Sequence, residues 1–499
     1  MKKVVIIGGG ISGLTAAVYG AKAGLDVTLF EQHTIPGGEC TGWDRDGYHI
    51  DNCIHWMMGT TPGSQLYDLW KTVGALEEES LIFRFPAMYT SELGEQRLTL
   101  WQDVDRTERE MIALSPGDKK EIRRLLRFCR SAQRVQIPAD IPSELMGPRD
   151  GLRMLWSSSG ALKIFRAFRG MNVQDLMERF SHPLIRLLIS DFTPADSQAG
   201  SFVMAYGNFL SGDGGIPAGG SRAMAFRMAK KARSLGAKIV TGKAVQKILA
   251  DQAKGQADGV LLADGTEVFC DYVVPACDMS VTFGRLLPRE KMGSLLRQMY
   301  EDRRAYPVYN TFQTAMAVDS PENPLETETI WNCPELIFTK GMSERVTVKS
   351  YAYEPGFAPA GKQLIQTLQG GSEEVYSYWI RLYQDPVAYQ RQKSLLAERT
   401  REMLEEHFPA LRGRLRVLDA WTPMTYTRYC SAYKGFYQAF SISKYSAKLP
   451  YPSAYVEGVE NVVLAGQWLN PPGGLPGSAT AGKFAIQRIL KKEGKNFHL

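Results

Sequence analysis

The sequence predicts an α/β protein in which a discontinuous Rossmann-like domain accompanies an α+β domain with a mixed sheet. Three observations lead to this prediction. A strand–glycine loop–helix pattern begins the chain, a second one ends it, and runs of β-branched and aromatic residues lie between them. The chain has 499 residues, which is more than one hydrophobic core ordinarily organises. Both ends are therefore expected to contribute to one domain, with a second domain between them.

Composition places the chain among folded proteins. Apolar residues make up 44% and charged residues 22%, and the net charge of +6 gives no reason to expect a nucleic-acid partner. Seven cysteines without a CxxC pair suggest neither a metal site nor a dithiol redox pair, and reduced thiols favour a cytoplasmic location. No window reaches about 18 uncharged apolar residues, so membrane contact would be peripheral, on the inner face.

The first glycine motif follows the run "KVVIIG", which is typical of a buried parallel strand. Gly8 makes a tight turn, Gly10 lets the backbone approach a pyrophosphate, and Gly13 allows a helix expected over 14–23 to pack closely on the sheet. Glu31 closes the next strand, "DVTLFE", where a carboxylate would accept hydrogen bonds from a ribose and disfavour a 2′-phosphate. The pattern predicts a dinucleotide site formed by Gly8, Gly10, Ser12, Gly13 and Glu31.

A second glycine pair, Gly37 and Gly38, follows in "IPGGECTGW". Here the chain resembles the flavin-dependent amine oxidases, carotenoid desaturases and carotenoid isomerases, which carry a GG doublet at this point. The later stretch "DGYHIDNC" resembles the next hairpin of the desaturases. This resemblance implies that the dinucleotide is FAD and that Gly37 and Gly38 contact it. Glu39 stands where these families usually have arginine.

The end of the chain carries a matching pattern. "NVVLAG" is typical of a buried strand, "PPGGLPGS" of a turn, and "ATAGKFAIQRILKK" of a helix with a basic last turn. A strand, a glycine-rich loop and a helix N-terminus form a site for a polar group. In the phytoene desaturase-like family this segment is the second flavin motif, which implies contacts from Gly466, Gln467, Gly474, Leu475 and Pro476. Gln467 replaces the usual aspartate, and its amide can still bind a ribityl hydroxyl.

A third piece of the flavin domain lies in the middle of the chain. The stretch 214–249 predicts a basic amphipathic helix and strands at about 237–241 and 244–250, and "GVLLADGTEVFCDYVVPA" predicts a hairpin and a strand. The family resemblance places the backbone of Val245 against the adenine, although Val245 fits a core position equally well. The FAD-binding domain is thus predicted at 1–80, 205–285 and 455–499. No second strand–GxGxxG–helix unit occurs, so a dedicated NAD domain is not expected.

The remaining residues, 81–204 and 286–454, are predicted to form the substrate domain. "RAYPVYNTFQTAMAV", "RVTVKSYAYEPG" and "KQLIQTLQGG" indicate strands, and 385–409 indicates a long helix ending before Pro409. The aromatic segment 421–440 resembles a desaturase segment and either lines an apolar tunnel or packs in a core. Basic helical stretches at 118–134 and 151–170 either lie on anionic lipid or cover the domain with a solvated face, and the second interpretation is favoured.

Two residues are candidates for proton transfer. His55, in "DNCIHWMMG", would donate or accept a proton on the substrate side of the flavin, and Tyr433 is a similar candidate in the aromatic segment. A structural role is the commoner alternative for each. Flavin enzymes need few catalytic side chains because the ring carries the hydride.

The resemblance implies an FAD-dependent oxidoreductase that desaturates, saturates or isomerises carbon–carbon bonds. Its substrate would be long and apolar, such as a carotenoid, a retinoid or another isoprenoid. A quinone, oxygen or NAD(P)H would exchange electrons with the flavin. One alternative is a flavin amine oxidase acting on a small amine, which "PPGGLPG" disfavours. Another is a prenyl or lipid carrier without flavin, which the intact glycine motifs disfavour.

Overall fold

A computed structural model describes residues 1–151, 159–251, 253–320, 325, 328–447 and 451–499. In chain order the described strands are β1 (Lys3–Ile7), β2 (Asp26–Phe30), β3 (Gly42–Arg45), β4 (Tyr48–Asp51), β5 (Ile82–Phe83), β6 (Ala87–Leu93), β7 (Gln96–Trp101), β8 (Ile216–Pro217), β9 (Lys238–Val240), β10 (Val245–Asp251), β11 (Gln256–Leu262), β12 (Glu267–Phe269), β13 (Tyr272–Pro275), β14 (Asn310–Val318), β15 (Thr329–Asn332), β16 (Met342–Ser350), β17 (Gln363–Gly371), β18 (Leu415–Trp421), β19 (Tyr455–Val456) and β20 (Val459–Val463).

The helices of the same residues are α1 (Ile11–Lys22), α2 (Gln65–Thr72), α3 (Val104–Leu114), α4 (Lys119–Ala132), α5 (Ser159–Phe168), α6 (Val173–Met177), α7 (Pro183–Ser190), α8 (Ala199–Leu210), α9 (Gly220–Ser234), α10 (Met279–Val281), α11 (Ser294–Glu301), α12 (Glu373–Leu382), α13 (Pro386–His407), α14 (Pro423–Cys430) and α15 (Gly474–Lys492). Within these described ranges, no helix combines the length and apolar character needed to span a membrane.

The first sheet has the strand order β19-β20-β13-β1-β2-β9. Its strands pair in parallel from β20 to β9, and only the edge strand β19 runs antiparallel to its neighbour. The strands come from the beginning, the middle and the end of the chain. The sheet is therefore Rossmann-like and discontinuous, which confirms the predicted fold class.

The second sheet has seven strands in the order β18-β14-β17-β16-β15-β6-β7. The pairing of β15 with β6 is parallel and the others are antiparallel, so the sheet is mixed, as predicted. The exact division of the chain into domains stays a prediction. Residue 205, the predicted start of the second FAD segment, lies within α8.

Helix α1 starts earlier than the apolar pattern indicated. It begins at Ile11 rather than at Leu14, directly after Gly10, which occupies the N-cap position. The periodic pattern starts later because Ser12 and Gly13 are poor helix formers by propensity. Tertiary contacts override this propensity, since both residues are buried in the first turn.

The first basic stretch forms α4, whose apolar side is buried in a cluster with α8. Its basic side is paired with acidic side chains, as in the contacts of Arg130 with Asp105 and Glu108. This helix therefore covers the domain core with an ion-paired face.

The second basic stretch is described only in part, because residues 152–158, which include Trp156, lie outside the described residues. In α5, Phe168 is buried, whereas Leu162 and Phe165 are 50% and 43% exposed. The three apolar residues therefore do not share one environment.

Candidate functional site

A cavity of about 2200 Å³ extends from the glycine loops of the first sheet to one face of the seven-stranded sheet. Gly10 and Gly474 line it on one side, and Thr347 and Leu368 line it on the other. Pockets for a single small molecule typically measure about 300–1,000 Å³. The cavity therefore has room for a cofactor together with a second large ligand.

The first glycine loop is shaped for close approach of a ligand. Gly8 has a φ of +104°, and a Cβ atom at Gly13 would lie only 1.9 Å from the carbonyl oxygen of Gly8. By contrast, a Cβ at Gly10 would meet nothing nearer than the Gly37 carbonyl oxygen at 3.9 Å. The backbone at Gly10 is thus open toward the cavity, at the N-terminus of α1.

The two ends of the chain meet at this loop. Helix α15 packs so closely on α1 that a Cβ at Gly482 would lie 2.1 Å from the carbonyl oxygen of Ser12. The contact brings the second glycine motif to the same cavity. Its lining includes the predicted residues Gly466, Gln467, Gly474, Leu475 and Pro476.

Glu31 and Val245 also line the cavity. The Glu31 carboxylate accepts hydrogen bonds from the backbone N–H of Gly9 at 2.6 Å and of His33 at 2.8 Å. These bonds fix the carboxylate beside the loop and leave lone pairs for a further donor. Val245 is buried.

The hydroxyl of Ser12 tests whether the loop fits a cofactor. This oxygen is buried and has no hydrogen-bond partner among the described residues, and Ser12 lines the cavity in the first turn of α1. A buried hydroxyl left unpaired costs free energy, and a helix N-terminus attracts anions. The residues present therefore fit a diphosphate, which Gly10 and Ser12 would hold, with Glu31 at the ribose.

Glu39 and Gln467 form a polar contact between the two glycine motifs. Burial raises the pKa of Glu39 to about 8, the neighbouring Asp278 adds to the rise, and a hydrogen bond from Gln467 opposes it. At neutral pH Glu39 is therefore mostly uncharged. The Gln467 side-chain oxygen accepts from the N–H of Gly474 at 3.2 Å. Both ends of the Gln467 amide are thus engaged within the protein, and its contact with the cofactor stays a prediction.

Tyr426 joins this loop region to the second sheet. Its hydroxyl accepts from Gln313 at 2.8 Å and from the Trp421 indole at 3.2 Å, and it donates to Asn52 at 3.0 Å. Asn52 in turn donates to the backbone carbonyl of Glu39 at 3.0 Å. The sequence analysis did not single out Tyr426, although it lies in the aromatic segment that resembles the desaturases.

The second sheet contributes a polar group to the cavity. His55 lines the cavity, and its Nδ1 atom lies 3.8 Å from a carboxylate oxygen of Glu328. Lys349 is buried and donates to the backbone carbonyl oxygen of His55 at 3.1 Å. The sequence analysis found His55 but missed Glu328 and Lys349. The alternating stretch "RVTVK" contained a signal, because it places Lys349 on the face of β16 opposite the buried valines.

Tyr433 lies apart from this group. Its ring packs against Tyr300 and Phe436, its backbone N–H donates to Asp278 at 2.9 Å, and it is not among the lining residues of the cavity. Its proposed role in proton transfer stays a prediction. The structure brings His55 to the cavity and leaves Tyr433 in the packing behind it.

Comparison with known proteins identifies the family. Residues 11–490 match the family described as flavin containing amine oxidoreductase, which is nearly the whole chain. The chain belongs to this family. It is an FAD-dependent oxidoreductase, and the resemblance drawn from its glycine motifs is confirmed.

Individual relatives of the family are similar over their full length at low identity. The chain is 23% identical to a 4,4'-diaponeurosporene oxygenase of Staphylococcus aureus (strain MW2), over 99% of each chain. It is 22% identical to an all-trans-retinol 13,14-reductase of Danio rerio, over 98% of this chain and 86% of that protein.

Solved structures share the fold of this chain. Wild-type putrescine oxidase bound to putrescine superposes with a TM-score of 0.63 at 16% identity, covering 98% of this chain and 99% of that one. An oxidoreductase from Methanosarcina mazei gives a TM-score of 0.58 at 19% identity, covering 98% of this chain and all of the other. These similarities show the architecture.

Proposed function

We propose that this oxidoreductase desaturates, saturates or isomerises carbon–carbon bonds of a long apolar substrate, such as a carotenoid, a retinoid or another isoprenoid. The observation that carries the proposal is the single cavity of about 2200 Å³ that joins the glycine loops to the second sheet. Part of its lining is aromatic, with Trp56 facing Phe192 and Phe209. Such a lining favours an extended apolar ligand over a small polar amine.

The names of two relatives support this substrate class. One is a 4,4'-diaponeurosporene oxygenase and the other an all-trans-retinol 13,14-reductase, and both are similar over nearly the whole of this chain. Low identity does not transfer either activity. Both names specify a polyene substrate, and we propose the same substrate class for this chain.

When bound, FAD accepts or donates the hydride. The protein supplies the remaining requirements. The apolar lining excludes water from the substrate, and His55 holds a proton at the edge of the cavity. The Glu328 carboxylate lies 3.8 Å from the His55 Nδ1 atom, where its charge favours a proton on that nitrogen.

The reaction also requires a redox partner and a route by which the substrate enters. A quinone, oxygen or NAD(P)H would exchange electrons with the flavin from outside, because the sequence contains no second dinucleotide motif. The exposed residues Leu162 and Phe165 lie on α5, and Phe165 also lines the cavity. We infer that this rim rests on the inner face of a membrane, from which an apolar substrate would enter.

The test uses the FAD-loaded protein under anaerobic conditions. The visible flavin band is recorded with NADH, with a quinone, and with each of three polyenes: phytoene, lycopene and all-trans-retinol. The proposal predicts that at least one polyene is converted, as detected by chromatography. Desaturation or saturation would also change the redox state of the flavin, whereas isomerisation would leave it unchanged.

Two outcomes would contradict the proposal. Conversion of putrescine or another small amine with release of peroxide, and no conversion of any polyene, would indicate an amine oxidase. Conversion of neither class would exclude this substrate assignment. Bleaching by NADH alone would identify the electron donor and favour saturation.

A further inference from the structure

Beside its apolar residues, the cavity lining contains a group of polar side chains that a pure hydrocarbon would leave unused. This Lys349 cluster consists of Lys349, Glu328, His55 and Tyr353, and all four line the cavity. Thr329 of β15 lies opposite Val348 of β16, so the antiparallel register places Glu328 opposite Lys349. The two charged side chains therefore enter the cavity side by side.

Lys349 has a hydrogen atom to donate. Its Nζ atom donates to the backbone carbonyl oxygens of His55 at 3.1 Å and Ile54 at 3.4 Å, and an ammonium group carries three N–H donors. Burial lowers its pKa, while Glu328 and Asp51 act in the opposite direction. The protonated amine therefore keeps one N–H for the cavity.

Glu328 has a free acceptor beside that donor. Burial would raise its pKa, but the neighbouring His55 and the charge of Lys349 hold the pKa of Glu328 below its ordinary value. It is therefore a carboxylate at neutral pH. Its side chain keeps 24% exposure, and because Glu328 lines the cavity we take this surface to face it.

Tyr353 adds a second unused donor. Its hydroxyl is buried and has no hydrogen-bond partner within the described ranges, and its ring packs on Phe83 and Phe85. A buried hydroxyl without a partner costs free energy, which a ligand hydroxyl would recover. The cluster therefore combines two donors and one anionic acceptor at one place in an apolar cavity.

We propose that the substrate is a lipophilic alcohol, whose hydroxyl oxygen accepts from Lys349 and whose hydroxyl hydrogen is donated to Glu328. A hydroxyl group both accepts and donates, so it fits this pair. A carboxylate would face the charge of Glu328, and an ether or a ketone could not donate to it. The inference rests on the proposed function, because it names the substrate class for the same cavity.

The test compares three probes with the same carbon chain on the FAD-loaded protein. They are geranylgeraniol, its methyl ether and the corresponding hydrocarbon, and the measured quantity is the dissociation constant from tryptophan fluorescence, since Trp56 lines the cavity. The alcohol is expected to bind about 10-fold more tightly than either analogue, which corresponds to about 1.4 kcal/mol. Equal affinity for the alcohol and the hydrocarbon would overturn the inference and leave the proposed function intact.

Two variants test whether Lys349 is responsible for the preference for the alcohol. Lys349→Met removes the donors, shortens the side chain by one atom, and should abolish the preference for the alcohol while the hydrocarbon still binds. Lys362→Met, which changes an exposed lysine that pairs with Asp319, is the matched control and should keep the preference. A Lys349→Met protein that folds and still prefers the alcohol would contradict the assignment.

Tyr353→Phe keeps the inference falsifiable if Lys349→Met does not fold. This variant removes an unpaired hydroxyl, so the protein should remain as stable or become more stable, and the preference for the alcohol should fall by about threefold. An unchanged preference would place the alcohol away from this cluster and would contradict the inference. Failure of all three probes to bind would contradict the proposed function and this inference together.

Discussion

Ser12 and Thr15 provide a matched pair of buried hydroxyl groups in α1. Neither hydroxyl oxygen has a hydrogen-bond partner among the described residues, but only Ser12 lines the cavity. If Ser12 binds the diphosphate, Ser12→Ala should weaken FAD binding by about 10-fold, because one charge-assisted hydrogen bond is lost. The apoprotein should be equally or more stable, since an unpaired polar group is removed.

Equilibrium titration with FAD and thermal unfolding of the apoprotein measure these two quantities. Thr15→Val is the control and should leave FAD affinity unchanged. A Ser12→Ala protein with unaltered FAD affinity would show that this hydroxyl does not contact the cofactor.

Glu39 predicts a pH dependence. Its pKa is raised by burial from the ordinary value of 4.5 to about 8, so between these values the folded apoprotein binds more protons than the unfolded chain. The free energy of unfolding should therefore fall as the pH rises through this window, by up to about 1.4 kcal/mol per pH unit. Above pH 8 the ionised Glu39 should also weaken FAD binding by repelling the diphosphate.

Glu39→Gln should remove both effects. Unfolding of the apoprotein and FAD titration at pH 6, 7 and 9 measure them, and the exposed Glu267→Gln is the control. If wild type and Glu39→Gln lose FAD affinity equally on going to pH 9, Glu39 is not the group responsible.

At the scale of elements, the contact of α1 with α15 holds the two glycine motifs together. Because a Cβ at Gly482 would lie 2.1 Å from a backbone oxygen of α1, Gly482→Ala must force the helices apart. We expect a loss of about 2–3 kcal/mol in stability and loss of bound FAD, read from the ratio of flavin to protein absorbance. Gly117→Ala is the control, since its added Cβ would meet nothing within 4 Å. Retention of full FAD occupancy by Gly482→Ala would contradict the close packing.

Helix α5 predicts membrane contact at the rim of the cavity. Leu162 and Phe165 are exposed beside the basic residues Arg166 and Arg169. The double variant Leu162→Ser/Phe165→Ser, and separately Arg166→Ser/Arg169→Ser, should each reduce sedimentation with phosphatidylglycerol vesicles severalfold, because apolar insertion and charge both contribute.

A control for this experiment lies on α13. Val387 and Leu395 are 77% and 60% exposed but do not line the cavity, so Val387→Ser/Leu395→Ser should leave vesicle binding unchanged. A wild-type protein that does not sediment with the vesicles would end the membrane proposal.

At the scale of the whole molecule, Tyr426 couples the glycine loops to the seven-stranded sheet. Tyr426→Phe would leave the donors of Gln313 and Trp421 and the acceptor of Asn52 without this partner. We expect a loss of about 2–3 kcal/mol in urea unfolding and weaker FAD binding, since Asn52 also positions Glu39. Tyr378→Phe, on the partly exposed α12, is the control. A change below about 0.5 kcal/mol would show that the network does not stabilise the fold.

The sequence predicted the parts of the site whose geometry is local. The spacing of Gly8, Gly10 and Gly13 predicted a tight turn, a backbone open to a ligand and close packing of the helix on the loop. The structure has these three features within six residues. Runs of β-branched and aromatic residues also indicated most strands of the first sheet and the strands β14, β16 and β17 of the second, whereas β6, β7, β15 and β18 were not predicted. The predicted start of α1, at Leu14, was wrong, because packing against α15 stabilises a helix that begins at Ile11.

What the sequence alone determined about this protein is its family, its cofactor and the alternation of its strands, since each depends on residues a few positions apart. The tertiary structure decided which sides of those elements meet. The alternation in "RVTVK" places Lys349 and the valines on opposite faces of β16. A polar face of a strand ordinarily lies in water. In this protein that face lines the cavity between the two sheets instead. The position of Glu328 opposite Lys349 depends on the register between β15 and β16, and local pattern carries no information about that register.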